Sequence, residues 1–382
     1  VTLRFGLVNG LGIAGAAVCV GVPFVSLAPN RLVSGHGAGL ISAGVWGWGV
    51  LAGFAVLALL PDARSPKARS LEARMARGML SVGLIWLLLG AAGAAARGLL
   101  AQAPPAARVA LGAGFFLLIS IAALALLEAL RQARVAPVWR LAVGAGVVAG
   151  VAVMASLGAL DHLSLAREYA VHRAAFGAAL ARHLLLVGLS LAGALAFGVP
   201  LGLAAWRRAR LRPVAFAVLN VVQTVPSVAL FGLLIAPLSA AGLSGIGVVP
   251  AVIALVLYAL LPTVRGVVAG LDGVAAAPLE AAMGMGMAPS QVFWRVQVPL
   301  AAPALLAAAR VVVVQAVGLA VVAALIGAGG LGDFVFQGLG QDAVDLVLLG
   351  ALPATFLALT ADAVMSVAAD LVGQGAAGRG EA

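Results

Sequence analysis

The sequence predicts an all-α integral membrane protein, a polytopic bundle of about ten transmembrane helices, and three observations carry that expectation. Charged residues make up 9% of the 382 positions while hydrophobic residues make up 64%, against roughly 25% charged in an ordinary soluble domain. Mean hydropathy is +1.16, so the polar groups are too few to cover the surface of a water-soluble globule of this size. Second, the apolar runs stay apolar on every side for about twenty residues, the length a helix needs to cross a bilayer. Strands of a membrane barrel alternate apolar and polar residues instead. Third, the basic residues cluster between those runs with a bias to one side.

Taken in order, the spans are expected near 5–27, 40–60, 79–96, 109–130, 138–160, 180–206, 214–238, 246–271, 300–328 and 344–372. The first is expected to be retained as an anchor, because its apolar stretch of about 23 residues exceeds the 7 to 15 of a signal h-region and only Arg4 precedes it. With both termini taken as cytoplasmic, sixteen of the basic residues fall inside and six outside, and Arg310 lies within a span. That imbalance follows the positive-inside rule and sets the expected orientation, with both termini on the cytoplasmic side.

Two regions differ in texture. Residues 1–160, an N-terminal region of five spans, are rich in glycine and alanine. Residues 180–372 carry Asn, Gln, Thr, Ser, Arg and Asp within or beside their spans, which points to a transport core because polar groups in hydrocarbon face a bundle interior or a water path. Between them, 161–179 is expected as a polar external segment, an amphipathic helix on the outer surface. Residues 373–382 form the expected cytoplasmic tail.

Composition excludes several classes. The net charge of +10 comes from arginines spread thinly between apolar segments, which fits membrane loops and not a nucleic-acid surface. Cys19 is the single cysteine, so no intrachain disulfide, redox pair or cysteine zinc cluster is possible. Lys67, the only lysine, lacks a preceding glycine loop and makes no Walker A phosphate cradle. Any ATP hydrolysis would have to come from a partner, and no cofactor is expected in this chain.

The long polar connection from Asp272 to Pro299 contains Glu280-Ala281-Ala282, Gly286 four residues on, and Val296-Gln297-Val298-Pro299. It reads as two short helices joined at glycine. Pro278 and Pro289 open them, since the first turn needs no amide donor, and Gly284 and Gly286 let the backbone reverse. Val292, Phe293 and Val296 share a face, small Ala281 and Ala282 admit a close neighbour, and Pro299 restarts a membrane helix. Such an elbow suits a groove on a cytoplasmic partner.

In the seventh span Asn220, Gln223, Thr224 and Ser227 lie on one helical face, and Pro226 removes a backbone donor and bends the span. This stripe either lines a wet path or bonds neighbouring helices. Arg310 and Asp362 are the clearest intramembrane charges, with Gln315 a further polar candidate for the path. They either pair, face the path separately, or reach water at the ends of their spans.

The spacing E-A-A, three residues, G, nine residues, then a hydrophobic pair before proline resembles the EAA loop of binding-protein-dependent ABC importer permeases, with Val296 and Val298 in place of the family's Ile and Leu. Asn220 to Phe231 (NVVQTVPSVALF) and Ala324 to Gly332 (ALIGAGGLG) resemble the core of glycine betaine/choline-type osmoprotectant permeases. Pro23 to Gly35 (PFVSLAPNRLVSG) resembles the larger subgroup with extra N-terminal spans. The resemblance implies a type I importer core and an elbow at Glu280–Pro299 that seats on a cytoplasmic ABC ATPase dimer. ATP and magnesium would be bound there, not here. It also implies a second permease subunit, identical or related, and an external solute-binding protein, all in a lipid membrane and without nucleic acid. The solute would be a compatible solute of the betaine or choline kind.

A secondary transporter or channel working without an ATPase is the competing class, although no inverted repeat relates the two halves. Three further motifs are set aside. Gly327, Gly329 and Gly332 satisfy G-x-G-x-x-G but follow a membrane helix instead of a strand. Gly242-Leu243-Ser244-Gly245 matches an intramembrane protease motif, yet His36, His162, His172 and His183 are all expected outside span interiors. Asp342 and Asp345 make one D-x-x-D, short of a metal-pyrophosphate site. The pairs Gly146/Gly150 and Gly198/Gly202 are expected to mark close helix packing.

Overall fold

The computed structural model describes residues 7–30, 33, 35–60, 71–133 and 135–378. Arg4, Arg31, Arg64, Lys67, Arg69, Arg134 and Arg379, which enter the orientation argument above, lie outside the described residues. Chain contacts divide the protein into Val1–Val171 and His172–Ala382.

The first unit contains α1 (Leu7–Gly21), α2 (Val45–Leu59), α3 (Leu71–Leu100), α4 (Ala113–Gln132) and α5 (Pro137–Ser156). Its core is formed by residues such as Phe24, Phe54, Leu84, Leu88 and Leu118. α1 and α2 approach closely because they meet through small residues. A Cβ on Gly12 would lie 2.4 Å from the Ala58 nitrogen, and one on Gly15 would lie 2.3 Å from the Phe54 ring. The buried Asn9 amide donates to the carbonyls of Ala58 (2.8 Å) and Leu60 (2.6 Å), satisfying carbonyls left open at the end of α2.

The expectation of ten long spans is revised here. Among the described residues seven helices are long and apolar enough to cross a membrane, or eight if a bent pair counts as one span. The other two expected spans are α1 and α2, each 15 residues, or about 22 Å at 1.5 Å per residue against a hydrocarbon core of about 30 Å. Between α1 and α2 the apolar residues form other structure. Val25–Ala28 (β1) pairs antiparallel with His36–Ala38 (β2) and with Arg108–Leu111 (β3) in a three-stranded sheet ordered β2-β1-β3, and Leu40–Ala43 forms a 3-10 turn. This sheet is an addition to the all-α expectation.

The polar stretch 161–179 does not form a separate surface helix. Ser164 begins α6 (Ser164–Gly193), which continues through a π turn at Ala194–Gly198 into α7 (Val199–Arg207). Within the polar start of α6, Ser164 and Glu168 are buried, and Glu168, 3% exposed, pairs with Arg108 of β3. Arg167 donates to the Ala107 carbonyl at 3.2 Å.

The second unit continues with α8 (Leu211–Thr224), α9 (Ser227–Ala240), α10 (Val248–Asp272), α11 (Ala276–Gly284), α12 (Pro289–Val292), α13 (Val298–Val322), α14 (Gly332–Gly340) and α15 (Val344–Gly378). α10 packs closely on α7, as the Gly198/Gly202 pair predicts. Added Cβ atoms at these two positions would stand 2.8 Å from Thr263 and 2.7 Å from Val267. The other pair splits: Gly150 lies under the Trp86 indole, while a Cβ on Gly146 would meet nothing within 4 Å. Gly327, Gly329 and Gly330 all have positive φ, and Gly329 and Gly330 lay their backbone against Arg182 and His183 of α6. His183 is fully buried within the run Ser164–Arg207. The Ser244 hydroxyl donates to the Ile246 carbonyl at 2.6 Å, a turn bond between α9 and α10.

Candidate functional site: an elbow, a broken helix and an intramembrane ion pair

The elbow is built where α10 ends. α11 stops at Gly284, and Gly286 turns the chain at φ +83°, a conformation that disfavours any side chain. Two backbone bonds close the turn, Gly286 N–H to the Met283 carbonyl (2.9 Å) and Met287 N–H to the Ala282 carbonyl (3.2 Å). Pro289 then opens α12, where the Gln291 side-chain oxygen accepts from the Ala288 N–H at 2.9 Å. The two alanines part company: Ala282 is 2% exposed and packs inward, while Ala281 is exposed together with Glu280. Met283 and Met285 are exposed at 54% and 76%, so the outer face presents apolar side chains.

The second limb differs from a free short helix. After Val292 the chain forms a π turn at Phe293–Gln297 and runs straight into α13, giving one run from Pro289 to Ile326. Val292 and Phe293 are buried, Val296 and Pro299 half-buried. Gln297 anchors this limb by donating to the Leu271 carbonyl at 3.3 Å, and Phe293 lies beside Trp206 and under the Arg207 guanidinium.

The polar stripe sits at a break. α8 and α9 meet at 103°. The cause is local: Pro226 has no N–H to give, and Val225 before it is extended at ψ 127°. Asn220 accepts from Arg265 Nη2 at 2.7 Å, and Gln223 Nε2 donates to the Tyr258 carbonyl at 2.8 Å. The Tyr258 hydroxyl donates back to the Val225 carbonyl, and Arg212 pairs with Asp272 at 2.8 Å. Thr224 bonds within its own helix, to the Val221 carbonyl at 2.7 Å, and is exposed like Pro226, while Ser227 is half-buried. In this conformation Asn220 and Gln223 therefore tie α8 to α10. Tyr258, Arg265 and Gln297 complete these contacts and are absent from the sequence-derived set. Tyr258, one of only two tyrosines and placed inside an apolar run, was the available signal.

Tyr258→Phe removes the donor to Val225 just before the break. The expected loss is about 1 kcal/mol, the size of a hydrogen bond whose remaining partner is left partly buried. Thermal melting of the purified chain reads it, and an unchanged midpoint would show that the hydroxyl does not hold the break.

Arg310 of α13 and Asp362 of α15 are brought together in a two-pronged contact, Nε to one carboxylate oxygen and Nη2 to the other. Their side chains keep 42% and 36% exposure. Gln315 is half-buried on α13, five residues further along.

Asp333 opens α14, outside the spanning segments, and burial pushes its carboxyl above the ordinary value. A carboxyl raised in the folded state penalises the ionised form of the fold. Stability is then lowest above the folded-state value and recovers as pH falls through it. Asp333→Asn should raise the melting temperature at neutral pH and flatten its rise on mild acidification. An unaltered slope would count against burial as the cause.

Multiple apolar spans, a broken helix and an exposed two-limbed elbow define a membrane permease. Residues 194–377 match the family of binding-protein-dependent transport system inner membrane components, and residues 4–166 match the N-terminal domain of the ABC transporter permease YehY. The choline transport system permease protein OpuBB of Bacillus subtilis is 38% identical over 170 residues, covering 44% of this chain and 76% of OpuBB. The osmoprotectant import permease protein OsmW of Salmonella typhimurium is 39% identical over 185 residues, covering 47% and 84% of the two chains. The methionine ABC transporter MetNI, in an inward-facing conformation, aligns at TM-score 0.44 and 22% identity over 50% of this chain and 94% of that one. The chain belongs to the binding-protein-dependent ABC importer permeases and carries a YehY-type domain ahead of the permease core. It is a multi-pass inner-membrane transport component, non-catalytic itself, and membership implies an ATPase partner and a binding protein.

Proposed function

We propose that this permease imports a quaternary-ammonium compatible solute of the choline or glycine betaine kind. The support is its identity to OpuBB, whose name states choline, and to OsmW, whose name states osmoprotectants. A second permease subunit, identical or related, completes the conduit, and an ABC ATPase dimer supplies the force. ATP and magnesium are held there, and both termini of this chain face the same cytoplasmic side.

The observation that carries the mechanism is the elbow. Its exposed outer face of Glu280, Ala281, Met283 and Met285 fits a groove on the ATPase. Its second limb is continuous with α13, so closure of the ATPase is delivered to the helix that carries Arg310 and Gln315. The break at Pro226, tied to α10 through Gln223 and Tyr258, is the element that moves. Thr224, Pro226 and Ser227 line the path beside it.

Vesicles containing the permease, its ATPase and its binding protein should take up labelled choline or glycine betaine only with ATP. Uptake by the purified permease alone would replace this reading with a secondary transporter. ATP-dependent uptake restricted to uncharged sugars or anionic solutes would overturn the solute class.

A further inference from the structure

We propose that an apolar groove between the two π turns holds one acyl chain of an anionic phospholipid, with the headgroup on Arg207. The groove encloses about 460 Å³ within the second unit. Ala194 and Leu195 border it from the first π turn, Phe293 and Trp294 from the second, and Gly266 and Ala309 from α10 and α13. Thr263 supplies the one hydroxyl on its wall, and that hydroxyl already donates to the Ala259 carbonyl at 2.7 Å. A hydrophilic solute would find no partner here, and burying its polar groups unpaired is unfavourable. Hydrocarbon fits. Leu195 and Trp294 are 56% and 64% exposed, so the groove opens sideways to the surroundings of the helices, as a lipid chain requires.

The rim selects the headgroup. The Arg207 guanidinium carbon stands 5.2 Å from the centroid of the Phe293 ring, which itself lines the groove. Arg208 and Arg210 follow it, and Arg295 stands next to Trp294, all of them exposed. Among the described residues no ion pair joins Arg207, Arg208, Arg210 or Arg295 to a carboxylate, whereas Arg212 beside them is held by Asp272. Hydrocarbon walls under an uncompensated basic rim describe an anionic amphiphile, and basic pockets between spanning helices on the cytoplasmic side bind anionic lipid headgroups. Both π turns border the site, and such turns recur at functional positions.

The test is lipid titration by native mass spectrometry on the delipidated full-length chain, using phosphatidylglycerol and phosphatidylcholine with the same acyl chains. Phosphatidylglycerol should bind about fivefold tighter per engaged arginine, and Arg207→Ala should remove about that factor. Ala309→Phe, which fills the groove, should weaken both lipids. Leu195→Trp, which fills it from the exposed edge, gives the same loss should Ala309→Phe fail to fold. Equal affinity for the two lipids, or phosphatidylglycerol binding that survives both fillings, would overturn the proposal. So would efficient disulfide formation between two Leu195→Cys chains in membranes, which would place a second copy over the groove.

Discussion

Ala281→Arg is expected to abolish ATP-driven uptake and to release the ATPase on purification, while leaving the amount of folded permease unchanged. The two adjacent alanines make this a discriminating experiment. Ala281 is exposed on α11, so an arginine there finds solvent in the free chain. Once the ATPase seats on the elbow, that same arginine is buried without a partner, at a cost of about 3–5 kcal/mol. At 1.4 kcal/mol per tenfold, binding weakens more than a hundredfold. Ala282, 2% exposed, faces the other way, and arginine there damages the elbow itself and lowers the melting temperature of the permease alone. The pair separates docking from folding. Normal uptake by Ala281→Arg would show that the ATPase does not seat on this face, whatever else the elbow does.

The elbow was legible in the sequence because its determinants are local. Proline at the opening of a helix and glycine at a reversal act through their own backbone, and both Pro289 and Gly286 stand where that logic puts them. The ten apolar runs were equally visible. Their lengths were not, since hydropathy cannot tell helix from strand within an apolar stretch: Val25–Ala28 and Arg108–Leu111 leave the expected helices for a sheet in which they pair across eighty or more positions of sequence. For the same reason the polar opening of α6 read as surface. Glu168 is buried where Arg108, sixty residues earlier in the chain, meets it. Asn220, Gln223 and Thr224 share α8 as their spacing predicts, but Ser227 opens α9 beyond the 103° bend and leaves that face, and what the α8 face touches was not visible. Tyr258 and Arg265 lie on α10, and only tertiary packing brings them to Val225 and Asn220.

Arg310 and Asp362 should behave as a unit. Removing either partner leaves an unpaired charge within a span, at about 2.5–3.5 kcal/mol for Arg or Asp near a helix centre, so Arg310→Leu and Asp362→Leu should each reduce the yield of folded permease. The double variant Arg310→Leu with Asp362→Leu leaves no charge to satisfy, and its yield should return to that of the unmodified chain. The exchanged pair, Arg310→Asp with Asp362→Arg, should recover folding too, because the contact between α13 and α15 uses both carboxylate oxygens and two guanidinium nitrogens whichever helix carries them. Transport then separates two roles that folding cannot. A pair that only joins helices permits uptake in both double variants. A pair that also faces the path, as its 42% and 36% residual exposure permits, permits folding in both and uptake in neither. Failure of both double variants to recover folding would show that each charge has its own partner, and that the contact between them is not what holds α13 to α15.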